Sequence, residues 1–295
     1  MINKKTALIA VLVIALLLSS CEKTEDGKRT AISTINIIND FVKNVAGDKI
    51  GAVSLLPVGS DPHIYEPVPR DVQKIADSDI VFYNGFNLEK WLFEILENAG
   101  SSRQAFQVAK NLNPMTTPKG DPDPHLWMDP VYAVTYVENI RDSLSEFDPE
   151  NAEYYKQNAE NYIKQLEELD AWIKSKVAEI PEQNRKLVTT HDAYAYFGKR
   201  YGFKVIGSIW GITTEDEPSA KEIAALIDKI NSEKVQAVFF ETTINPKLME
   251  RVAAEANVKL GKPLYGDSLG IEGSSADTYI GMVKTNVESI VEALR

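Results

Sequence analysis

Cysteine is almost missing from this chain, with Cys21 alone among 295 residues. One thiol cannot form an internal disulfide, so stability has to come from a packed core. Histidine is nearly as scarce: there are three, at 63, 125 and 191. Long apolar runs are also lacking. The stretch from Ala7 to Leu18 has twelve residues, whereas about 20 are needed to span a bilayer. Positive charge is in deficit, with 32 Lys and Arg against 43 Asp and Glu for a net charge of −11. That sign disfavours a nucleic-acid partner, and an acidic surface aids solubility and draws cations without specificity. Glycine is absent from Pro149 to Pro181, so nothing there interrupts a helix.

What the N-terminus does contain is Lys4-Lys5, the apolar run, and then Leu18-Ser19-Ser20-Cys21. A positive flank, a short apolar segment and small residues predict an export signal over residues 1–20. It ends in a lipobox, so Cys21 is expected to be the acylated residue of a lipid-anchored chain, since several acyl chains anchor stably where one does not. Residues 21–29 then form a polar tether. Removing Lys4 and Lys5 with the signal makes the balance two units more negative. The remaining chain is long for one core, which predicts two lobes.

Apolar periodicity predicts strands at 30–34, 50–55 and 80–83, alternating with helices at 35–46, 70–77 and 89–98. Gly47 closes the first helix. A Pro-, Thr- and Gly-rich loop at 111–123 leads to a helix over 131–147. From 149 to 181 apolar residues recur at three- and four-residue steps, predicting one helix of about 45 Å at 1.5 Å per residue. It is read as packing on its own lobes, not on a second chain, so a monomer is expected. Strands at 186–190, 204–210 and 237–241 then alternate with helices at 193–201, 219–231 and 246–257, before a closing helix at 278–293. The expected fold class is α/β, with two lobes, each a parallel sheet flanked by helices, joined by one long rigid helix. The expected divisions are an N-terminal lobe at 30–148, a linking helix at 149–181 and a C-terminal lobe at 182–295.

The chemistry gathers at the histidines. Gly59-Ser60-Asp61-Pro62-His63 and Asp123-Pro124-His125 repeat an Asp-Pro-His core, and His191 follows Thr189-Thr190 at the end of an apolar strand. Neutral imidazole is a common ligand for divalent metals, and proline stiffens the backbone beside it. One such motif is ordinary turn chemistry; three imidazoles at turns or strand ends point to a metal site. A carboxylate is expected to complete it, either Glu241 or Asp267. Asp267 is preferred because the small residues around it allow close backbone approach. Glu241 is assigned to accepting the other ring N–H of a ligating histidine. Two donors from each lobe would clamp an ion and release it when the lobes move. Four protein ligands leave little room for the water of a hydrolytic zinc site, so binding is favoured over the alternative of a surface zinc hydrolase. Glu215, Asp216 and Glu217 read as a solvated acidic loop.

With these residues in view, the chain from Thr30 to Leu294 resembles the metal-binding lipoproteins of bacterial ABC importers for zinc, manganese or iron, the lipoprotein adhesin family. The resemblance rests on Gly59–Pro67, on Ala76–Gly85 with Glu89 and Trp91, on Asp123–Pro130, on Thr190–Phe197, on Glu217-Pro218-Ser219 and on Gly266–Leu269. It implies His63, His125, His191 and Asp267 as metal ligands. It also implies capture of one divalent ion outside the cytoplasmic membrane and its transfer to a permease, without ATP hydrolysis by this chain. An adhesive role follows only from the family's historical name. Manganese-selective members tend to carry Glu where this chain has His191. Many zinc-selective members carry a histidine-rich loop before the second histidine, and residues 111–123 contain none. Nitrogen-rich ligation suits zinc and carboxylates suit manganese, so zinc is expected ahead of manganese, with iron last.

Overall fold

The computed structural model describes residues 29–99 and 104–295. The expected leader, Cys21 and the tether up to residue 28 lie outside the described residues. The first half is built on one parallel sheet of β1 (Thr30–Ser33), β2 (Gly51–Ser54), β3 (Ile80–Tyr83) and β4 (Gln104–Gln107), in the order β2-β1-β3-β4. The central strands are the apolar ones: Ala31, Ile32, Ile80, Val81 and Phe82 are all buried, whereas β2 and β4 at the edges are partly exposed. That is the burial expected where helices cover both faces of a parallel sheet.

Helix α1 (Asn36–Ala46) follows β1 and buries Ile37, Ile38, Phe41, Val42 and Val45 completely. Gly47 ends it at a φ of +56°, a conformation that side chains rarely adopt. Helix α2 (Pro69–Asp77) starts at a proline, as does α4 (Pro130–Phe147), where the Asp129 side chain also accepts from the Val131 N–H at 2.9 Å. Proline suits these first-turn positions because its missing N–H would have no partner within the helix. Helix α3 (Leu92–Asn98) lies between β3 and β4.

The glycine-free stretch forms α5, Ala152–Val177, preceded by a 3-10 turn at Pro149–Asn151. Its 26 residues make it about 39 Å long, shorter than the sequence suggests because the first turn is wound differently. Tyr155, Ala159, Tyr162, Leu166, Leu169, Ile173 and Val177 form its buried stripe. Past it lie β5 (Lys186–Thr189), α6 (Ala195–Tyr201), β6 (Lys204–Ser208), α7 (Ala220–Ser232), β7 (Ala237–Val238), α8 (Lys247–Ala256), β8 (Lys259–Leu260) and α9 (Tyr279–Leu294). The strands form two parallel pairs, β5–β6 and β7–β8. The Phe239 N–H donates to the Val188 carbonyl at 2.9 Å and brings the two pairs side by side.

Strand alternation splits this second sheet between two cores. Leu187, Ala237 and Phe239 face the main core, while Val188 and Val238 pack with Ile206, Leu226, Ile230, Met249 and Val252 beneath α7 and α8. The main core runs through both halves, because α9 packs on α5 and α1. Three strands differ from the periodicity: β4 and β8 are additional, and the expected strand at 237–241 is confined to Ala237–Val238. Beyond it, Glu241 pairs singly with Leu264.

Candidate metal centre

Each histidine is delivered by a different local device. Past β2, the backbone N–H groups of Leu55 and Leu56 still donate to Ser33 and Thr34, at 2.8 and 3.1 Å, before the chain turns into the His63 loop. There the His63 N–H donates to Asp61 Oδ1 at 2.9 Å. The same turn recurs at His125, whose N–H donates to Asp123 Oδ1 at 3.0 Å. In both copies the aspartate accepts from the residue two positions on, and the proline between them restricts the backbone. Asn84 Nδ2 donates to the Pro124 carbonyl at 3.0 Å, tying the second copy to the end of β3. His191 lies two residues past β5, at the carboxyl end of a parallel strand, where α/β sheets collect ligands.

The three imidazoles and Asp267 converge. One ligand atom from each lies within 4.8 Å of all the others, and all four residues are buried. His125 Nε2 is 3.2 Å from both His63 Nε2 and His191 Nε2. Asp267 Oδ2 is 3.2 Å from His191 Nε2 and 3.5 Å from His63 Nε2, and Oδ1 is 3.5 Å from His125 Nε2. His63 and His125 come from the first half, His191 and Asp267 from the second.

Glu241 stands behind His191. Its Oε1 accepts from the His191 backbone N–H at 2.9 Å, and Oε2 lies 2.8 Å from Nδ1. The ring N–H is not aimed along that second line, so the contact is an ion pair by distance and not a formed hydrogen bond. Asp123 plays the matching part for His125, with Oδ1 at 2.8 Å from Nδ1. This role is absent from the sequence reading, although the repeated Asp of the motif was its signal. Gly266 completes the packing: a Cβ there would run into Glu241 Oε2 and lie 3.3 Å from His191 Cε1. Trp127 stacks edge-on to His125 with ring centroids 5.3 Å apart and donates from Nε1 to the Gly266 carbonyl at 3.0 Å. Glu215 pairs with Lys90 on the surface at 2.8 Å, away from the four donors.

Electrostatics divides the cluster. Burial pushes the His63 imidazole down, against the pull of Asp267, which favours the neutral ring that a metal needs. Burial alone would discharge His191, but Glu241 and Asp267 hold its pKa well above the ordinary value. Burial likewise opposes charge on Asp267, yet His191 and the other imidazoles hold its carboxyl well below the usual range. Both Asp267 oxygens are buried without a hydrogen bond. Such orphaned atoms are costly unless something charged is to be satisfied by them. Three ring nitrogens and a carboxylate within coordinating reach suit a divalent first-row ion.

The chain matches the family described as zinc-uptake complex component A, periplasmic (ZnuA), over residues 32–293. It is 39% identical over 291 residues to the manganese-binding lipoprotein MntA of Halalkalibacterium halodurans, covering 96% of each chain. It is 34% identical to the manganese ABC transporter substrate-binding lipoprotein PsaA of Streptococcus pneumoniae, covering 99% of each. Among solved structures, the periplasmic zinc binding protein TroA of Treponema pallidum superposes with a TM-score of 0.87 at 33% identity, over 91% of this chain and 99% of that one. A common fold and near full-length similarity, joined to the buried donor cluster, lead to one assignment: the chain belongs to the ZnuA family of metal-binding, solute-binding lipoproteins of ABC transporters.

Proposed function

We propose that this protein captures one divalent metal ion outside the cytoplasmic membrane, carries it on His63, His125, His191 and Asp267, and delivers it to an ABC permease. The observation that carries the reading is the burial of four donor atoms within 4.8 Å of one another, two from each half. The ion is cargo here and is not consumed. Four protein donors fill a tetrahedral shell and leave no open position for an activated water, so the chain acts as a carrier and not as a catalyst. Zinc is proposed ahead of manganese on the strength of three nitrogen donors. Relatives named for manganese and for zinc both exist, so ligand chemistry is the argument for zinc. Cys21 is proposed as the lipid anchor, the mature chain as a monomer, and 30–148 and 182–295 as lobes joined through 149–181.

Calorimetric titration of metal-free protein is expected to give one ion per chain, with zinc displacing manganese at equal concentration. His63→Ala and His191→Ala are each expected to lower affinity at least a hundredfold while the metal-free variants remain folded, since one of four ligands is lost. Unchanged affinity in both variants would remove the assignment. Cys21→Ala is expected to release the protein from the membrane fraction.

A further inference from the structure

The His63 loop is held from the opposite half at two points. On one flank Ser268, fully buried beside Asp267, accepts from the Gly59 N–H at 2.7 Å and from Asn36 Nδ2 at 2.9 Å. Its own hydroxyl proton goes to the Leu269 carbonyl at 3.0 Å, so its one donor and two acceptor positions are all used. Asn36 Oδ1 accepts from the Leu269 N–H at 2.7 Å and closes the ring of contacts. On the other flank Thr214 Oγ1 donates to Asp61 Oδ2 at 2.6 Å, while Oδ1 of that aspartate holds the His63 N–H. The Thr214 loop is in turn tied to the histidine of its own half, since the Gly211 carbonyl accepts from the Asp192 N–H at 3.0 Å. Within its own half the loop is held by Trp91, whose Nε1 donates to the Pro62 carbonyl at 2.9 Å, while Val58 and Ile64 stand 46% and 53% exposed.

We infer that Ser268 and Thr214 are positioning residues that clip the His63 loop shut and thereby set how long the ion stays bound. The inference rests on His63 being a ligand. An enclosed ion leaves only when one ligand swings away, and the His63 loop is a ligand-bearing segment that the opposite half holds by two side-chain hydroxyls. Swinging it out breaks the bonds at Gly59 and Asp61. The clips are made when the loop lies closed over the four donors, so an ion enclosed there leaves only as they break. The clips therefore act on release.

The experiment loads the full mature chain with zinc and follows its release into excess chelator by stopped flow. Ser268→Ala and Thr214→Val are each expected to release the ion about tenfold faster, the effect of losing one well-made hydrogen bond in the bound state. The double variant is expected near a hundredfold. Thr214→Ser keeps the hydroxyl and is expected to restore slow release, which a packing role for threonine would not predict. If Ser268→Ala lowers the thermal midpoint of the metal-free protein, the Thr214 pair decides alone. Wild-type protein that binds no zinc would remove the underlying reading. Wild-type protein that binds zinc, with Thr214→Val releasing at the wild-type rate or Thr214→Ser releasing as fast as Thr214→Val, would overturn the clip alone.

Discussion

Two aspartates two residues ahead of two histidines do related but unequal work. Asp61 holds the His63 backbone and reaches Thr214, whereas Asp123 holds both the backbone and the ring of His125. Fixing Nδ1 turns Nε2 toward the shared centre, and partners of this kind are worth about ten- to a hundredfold in metal affinity. Asp123→Asn is expected to lower affinity within that range, as measured by competition with a chelator of known strength. Gly266→Ala is expected to weaken binding about tenfold or more with little loss of fold, because the added methyl displaces Glu241 and tilts His191; calorimetric titration checks it. At this scale the sequence was informative where residues were rare. Three histidines could be followed individually, and the structure brings all three to Asp267. The role of Asp123 was signalled only by the repeat of its motif, and that of Gly266 was not legible, since aspartate and glycine in loops ordinarily mean turns.

The long helix α5 is pinned near its C-terminal end by one carboxylate. Asp170 accepts from Arg200 Nε at 2.7 Å and Tyr201 Oη at 2.9 Å on α6, and from Lys174 Nζ at 2.7 Å on its own helix. Burial opposes its charge, yet these three donors prevail and hold its pKa down to about 2. A depressed carboxylate contributes stability above its ordinary titration range and loses it as pH falls through the folded value. Asp170→Asn is therefore expected to lower the thermal midpoint at pH 7 by roughly 2–4 °C, the shift that about 1 kcal/mol produces in a chain of this size. The gap to wild type should close between about pH 4 and pH 2, which scanning calorimetry across pH would test. Helices such as this one were legible because their apolar stripes repeat over many turns. Strands were less so. Gln104-Ala105-Phe106-Gln107 lies at a sheet edge with little apolar pattern, and Lys259-Leu260 is two residues long, so neither carries a period to detect. Conversely, Val238-Phe239-Phe240 reads as a longer strand because an apolar run does not show where its hydrogen-bonding neighbour stops.

Across the whole molecule, the two halves are distinct sheets that share a core. Residues of β1, β3, α1, α5, α6 and α9 belong to one buried apolar cluster, and only the face of the second sheet under α7 and α8 has a core of its own. A shared core makes independent unfolding of the halves unfavourable, so a single calorimetric transition is expected for the metal-free protein. Saturating metal raises that transition by mass action, about 2.7 kcal/mol at a free concentration one hundred times Kd. Excess chelator should return the midpoint to its metal-free value, and a midpoint indifferent to both additions would contradict binding to the folded state. Because α9 reaches back across the chain to lie on α1 and α5, the protein cannot hinge widely without exposing that cluster to water. Small-angle X-ray scattering should consequently give superimposable curves for empty and loaded protein, and a permease would have to distinguish them by the surface of a few loops, since the envelope they present is the same.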